Sequence, residues 1–222
     1  MGGRGARTNA GQSGKQGRGG KAGGVNASDI ISERDLVSQR EQKTRLVDET
    51  LGAFKDAYDE YGYIVEQILT AKLKPKASRS VMAYYDGANI AINERFFNDN
   101  LQSSYQQTVD MGFHPSNGTK SAAAALTSHE IGHALTDMAA KNMGITSIDS
   151  VDRAATRIVN EARSQTSHRG VVQMARAISE YATYSNAEAV AEAYCDVYCN
   201  GGKAKSESKA IVNVLNKYTK NK

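Results

Sequence analysis

The segment that most narrows what this chain can become is Ala122–Lys141, AAAALTSHEIGHALTDMAAK. Alanine and leucine are strong helix formers, Thr119 or Ser121 can cap the start, and Asn142 and Gly144 are stop signals. The pattern predicts a helix running to about Lys141. On such a helix His129 and His133 stand at i and i+4, one turn apart on one face. Two imidazoles so placed can reach a single zinc ion at about 2.0–2.1 Å. Glu130 points beside the ion, where it can take a proton from water. The bland alternative is a surface helix with two histidines and a solvated glutamate.

A catalytic zinc site needs a third protein ligand and an open position. The other two histidines, His114 and His168, fall in expected loops, and His114 before Pro115 reads as structural. The compact three-histidine layout is absent, because Ala139 stands six residues after His133. The remaining candidates are Glu188 and Glu192 in NAEAVAEAY, at i and i+4 on an expected helix. Two carboxylates on one face repel unless a cation sits there. One can bind the metal while the other accepts the second ring N–H of a ligand histidine. The competing role for Glu188 is a capping box with Ser185, which leaves Glu192 unexplained.

The rest of the chain falls into a tail and one domain. Residues 1–28 hold ten glycines and five basic residues (Arg4, Arg7, Lys15, Arg18, Lys21) before the first acid, Asp29. With almost no apolar side chains they cannot offset the entropy of ordering, so they read as a disordered basic tail. Residues 29–222 read as a single domain. Helices are expected over about 29–60, 150–164, 170–180, 185–198 and 205–219. YIVEQILTAKL after Gly62 fits helix or strand, and Pro75 ends it. Asp86-Gly87 marks a hairpin turn between Val81–Tyr85 and Asn89–Asn93, and a loop follows over Met111–Gly118. Cys195 and Cys199, one turn apart on a helix, read as small buried apolar groups. No apolar run is long enough for a membrane span, and none follows the basic start as in a secretory signal. The expectation is therefore no membrane partner and a cytoplasmic or virion-associated location.

HEIGH, followed by Tyr181 and then NAEAVAEAY, resembles the gluzincin metallopeptidases related to the catalytic domain of anthrax lethal factor. That group includes the Pro-Pro endopeptidases and the metallopeptidase-like domains attached to phage head-morphogenesis proteins. Their pattern is HExxH, then a tyrosine, a glutamate seven residues on and another four further; Tyr181, Glu188 and Glu192 match that spacing. The resemblance covers roughly residues 45–200. It implies an α+β, zincin-like fold, mostly helical, with a small mixed sheet whose edge strand lines the active-site cleft. It also implies zinc held by His129, His133 and Glu188, with Glu130 as general base. Tyr181 would be an electrophilic helper and Glu192 a carboxylate behind the ligands. The 54 residues between His133 and Glu188 exceed those of compact relatives.

The expected activity is zinc-dependent hydrolysis of a protein or peptide. The glycine-rich MGGRGA start is similar to small phage or prophage proteins, a resemblance that implies phage capsid proteins as partners. Two other readings stand beside this one. The first is a virion or head-assembly protein that keeps the zincin fold as a scaffold. The second is a regulatory protein that touches nucleic acid through its basic tail.

Overall fold

Ala122–Asn142 forms a helix, α3, around which the domain is assembled in the computed structural model, which describes residues 24–26, 41–71, 81–98 and 100–220. Ser121 caps it, its hydroxyl accepting from Ala124 N–H at 3.1 Å. Every residue from Ala122 to Thr136 is buried, so the helix is covered on all sides. Alanine makes this possible, because its small side chain lets neighbouring helices approach from several directions.

Before α3 come β1 (Gly24–Asn26), α1 (Glu41–Tyr61), β2 (Gln67–Ala71), β3 (Ala83–Tyr85), β4 (Asn89–Asn93) and α2 (Leu101–Asp110). After it come α4 (Ser150–Arg163), α5 (Val171–Ile178), α6 (Asn186–Asn200) and α7 (Ser206–Thr219). Single 3-10 turns occupy Tyr181–Thr183 and Gly201–Lys203. The architecture is α+β, mostly helical with a small mixed sheet, as expected.

Helix α1 turns Leu46, Thr50, Ala53, Phe54 and Ala57 inward at helical spacing and packs on α3. It passes unbroken through Gly52 and ends at Gly62, whose φ of +79° reverses the chain. The first part of the expected 29–60 helix, up to residue 40, lies outside the described residues. Helices α4 and α7 each contribute one apolar stripe (Ala155, Ile158 and Val159; Ile211, Val214 and Leu215) to the core beneath α3 and α6.

The sheet has strand order β1-β2-β4-β3. The ambiguous segment after Gly62 is a strand, β2, and pairs in parallel with β4, Ile68 opposite Ile90. The hairpin expected at Asp86-Gly87 joins β3 and β4, Tyr85 opposite Ile90. Asp86 Oδ1 accepts from the N–H groups of Ala88 and Asn89 at 3.0 and 2.7 Å, and Gly87 supplies a φ of +102°. Two findings differ from the sequence reading. Gly24–Asn26, inside the stretch expected to be a disordered tail, pair antiparallel with β2. Strand pairing uses backbone groups, so an open edge can recruit a glycine-containing segment that has little apolar content of its own. The rest of the expected tail lies outside the described residues. Leu101–Asp110, for which the sequence pattern predicts no element, is helical and buries only Leu101, Tyr105 and Thr108. Among the described residues no helix is long and apolar enough to cross a membrane.

Candidate metal centre

The site sits where α3 crosses α6, the most extensive helix contact in the domain. Gly132 explains how close that crossing is. A Cβ there would lie 2.7 Å from Ala191 Cα and 3.3 Å from both the Ala191 carbonyl and Tyr194 Cβ. The two backbones touch, and Glu188, one turn before Ala191, is brought over the histidines.

His129 Nε2 and His133 Nε2 lie 3.2 and 3.4 Å from the same atom, Glu188 Oε2. The three donor atoms fall within 4.8 Å of one another. Three ligands about 2.0–2.1 Å from one tetrahedral ion are spaced about 3.3 Å apart, so the donor set fits a divalent metal. A second observation agrees. His133 Nε2 and Glu188 Oε2 are buried and make no hydrogen bond, an arrangement that is costly unless something else satisfies them. The group could hold a metal ion.

Only the serine half of the expected capping box forms. Ser185 Oγ caps α6 by accepting from Glu188 N–H at 3.1 Å, while the Glu188 carboxylate turns to the imidazoles. Burial acts to raise the Glu188 pKa, but contact with His133 and His129 outweighs it and holds the carboxyl well below its ordinary range. The same contacts run the other way for His129. Burial disfavours its charge, yet Glu188 and Glu192 hold its pKa well above the ordinary value.

Glu192, 1% exposed, faces the ring nitrogen of His129 that Glu188 does not. Its Oε1 is 2.7 Å from His129 Nδ1, off the line of a well-directed hydrogen bond. Burial opposes its charge, but His114 and His129 bring its pKa down to about 2. Glu130 is also buried. Burial pushes its carboxyl above the ordinary range, against the pull of His129, His133 and a hydrogen bond from the Tyr85 backbone N–H.

That last contact places β3 at the site. Bonds from Asp86 N–H to Asn89 O and from Asn93 N–H to Met82 O fix the alternation of the hairpin. The backbone groups of Ala83 and Tyr85 therefore point away from β4, along the open edge of the sheet. The Tyr85 hydroxyl, 3.1 Å from Asp137 Oδ2, ties this edge to α3. Tyr181 is buried and its ring stacks on His129 at a centroid distance of 5.7 Å. Phe113 and Tyr184 extend the aromatic wall, with Tyr184 exposed.

All six residues singled out from the sequence (His129, Glu130, His133, Tyr181, Glu188 and Glu192) thus converge. His168 does not; it pairs with Glu207 at 2.7 Å instead. Cys195 and Cys199 are buried free thiols, and Cys195 donates to Ala125 O. His114, which the sequence marks only as structural, and Ser179, which it does not mark at all, both contact Glu192. Neither belongs to a spaced motif, and only the fold brings them in. Compared with protein-family models, curated proteins and solved structures, the chain matches none.

Proposed function

We propose that the chain is a zinc-dependent metalloendopeptidase of gluzincin type, with a zincin-like arrangement of helices and edge strand. The observation that carries this reading is the convergence of His129 Nε2 and His133 Nε2 on Glu188 Oε2, with Glu130 buried alongside. Such a donor set leaves a fourth position of a tetrahedral ion for solvent, the hallmark of catalytic rather than structural zinc.

His129, His133 and Glu188 would hold the zinc, which when bound would acidify a water and polarise a carbonyl. Glu130 takes the proton of the attacking water as its oxygen joins the carbonyl carbon. It then delivers that proton to the amine as the C–N bond breaks. Tyr181, stacked on His129, donates a hydrogen bond to the oxygen on which negative charge develops. The outward N–H and C=O of Ala83 on β3 hold the substrate as an added strand, which selects an extended peptide.

The test is Glu130→Gln. The variant is expected to bind zinc as wild type does and to lose peptide hydrolysis by at least about 10²-fold on a mixed peptide library. Undiminished turnover would remove Glu130 from the mechanism.

A further inference from the structure

His114 enters the site from the connection between α2 and α3. Its ring is buried and stacks on Tyr105 at 5.7 Å with planes 10° apart. Phe113 and Tyr181 meet it edge-on at 5.0 and 5.2 Å. This packing leaves the ring little freedom, and it sets Nδ1 2.9 Å from Glu192 Oε1. The other carboxylate oxygen, Oε2, accepts from Ser179 Oγ at 2.7 Å. Ser179 Oγ itself accepts from Ala182 N–H at 3.1 Å, so its hydroxyl is oriented with the proton toward Glu192. The two clamp segments are joined. Glu180 N–H donates to Gly112 O at 2.9 Å and Tyr181 N–H to Phe113 O at 3.1 Å.

We infer that His114 is a positioning residue for the metal centre: with Ser179 it clamps the Glu192 carboxylate so that Oε1 faces His129 Nδ1. The inference rests on the reading of His129, His133 and Glu188 as metal ligands. A carboxylate near His129 Nδ1 keeps the ring proton on that nitrogen and leaves the Nε2 lone pair for the ion. A glutamate side chain has three rotatable bonds, however, and a buried charge on it needs more than one donor to stay put. His114 supplies a donor from the α2–α3 connection, and Ser179 supplies one from the turn that leads into α6. Without His114, Oε1 loses its lateral partner, and the carboxylate and the His129 ring can reorient together.

The experiment uses the full chain and reads three quantities. These are zinc affinity by competition with a chromophoric chelator, the visible spectrum of the cobalt(II)-loaded protein, and the melting temperature of the metal-free form. His114→Phe keeps a ring against Tyr105 and removes the donor. His114→Asn restores an N–H near the position of Nδ1. The Phe variant is expected to bind zinc about 10- to 100-fold more weakly and to show an altered cobalt spectrum. The Asn variant is expected to stay within about threefold of wild type. A folded Phe variant with wild-type affinity and spectrum overturns the inference. So does an Asn variant as weak as the Phe variant, since packing and not the donor would then be at issue. Should His114→Phe fail to fold, Ser179→Ala removes the other clamp donor and is expected to weaken zinc binding about tenfold; unchanged affinity overturns the clamp. A wild-type chain that binds neither metal overturns the reading of the ligands, and this inference with it, without recourse to any variant.

Discussion

Replacing Gly132 by alanine adds one carbon where α3 and α6 already touch. The new Cβ would sit 2.7 Å from Ala191 Cα, about 0.7 Å inside the 3.4 Å at which ordinary contact begins. The obstacle is backbone, with the Ala191 carbonyl also at 3.3 Å, so no side-chain rotation relieves it. Helix α6 must move by a comparable distance. Glu188 lies on the same helix, less than a turn away, and moves with it. Metal-ligand bonds tolerate about 0.2 Å of error, several times less than this shift. Stability changes less. Overpacking costs about 1–3 kcal/mol, but alanine is about 1 kcal/mol better than glycine inside a helix, leaving a net loss of about 0–2 kcal/mol. In a chain of this size that lowers the melting temperature by no more than about 8 °C. The expected outcome is a folded Gly132→Ala protein whose zinc affinity is reduced by at least about tenfold. Circular dichroism melts of the metal-free form and chelator competition measure the two effects separately. A folded variant with wild-type zinc affinity would refute the claim that this crossing sets the Glu188 position.

Tyr181→Phe keeps the ring stack on His129 and removes the hydroxyl, so zinc affinity is expected to hold while kcat for peptide hydrolysis falls by about 10²–10³-fold. An equal loss of affinity would make Tyr181 a packing residue. Ala83→Pro deletes an N–H on the open edge of β3, not one inside the sheet. Kinetics should show a raised KM for extended peptides with the melting temperature nearly unchanged, and an unaltered KM would place the substrate elsewhere. Glu161, bonded to Lys217 and to the Tyr218 hydroxyl at 2.7 Å each, has its carboxyl held below the ordinary range, mainly by Lys217. Its contribution is therefore present above the unfolded carboxyl pKa of about 4.3 and lost as pH falls through the lower folded value. Because solvent screens the pair, Glu161→Gln should lower stability at pH 7 by under about 1 kcal/mol, with the difference from wild type shrinking in melts as pH falls below about 4.3.

Much of the site was legible because its signals are local. HExxH at one-turn spacing, the Ser121 cap and the Glu188–Glu192 pair depend on helix geometry, which the chain carries wherever it folds. The Asp86-Gly87 turn likewise announced the β3–β4 hairpin through side-chain chemistry confined to neighbouring residues. Helix α2 is faint in the sequence because its buried stripe is narrow and set among polar residues. Strand β2 was ambiguous for the opposite reason. A short apolar run reads equally well as helix or strand until a partner supplies the hydrogen bonds.

The sequence by itself determined which side chains could act together along one helix face: His129 with His133, and Glu188 with Glu192. Only the tertiary structure decided that those two faces meet, because the meeting depends on a backbone contact between Gly132 and Ala191 that no spacing encodes. It also decided that His114 and Ser179 close on Glu192 from separate segments, and that the outward edge of β3 lies beside Glu130. Periodicity is a property of one element and survives in the linear chain. Convergence between elements is set by packing, where the burial of whole faces fixes which distant residues become neighbours.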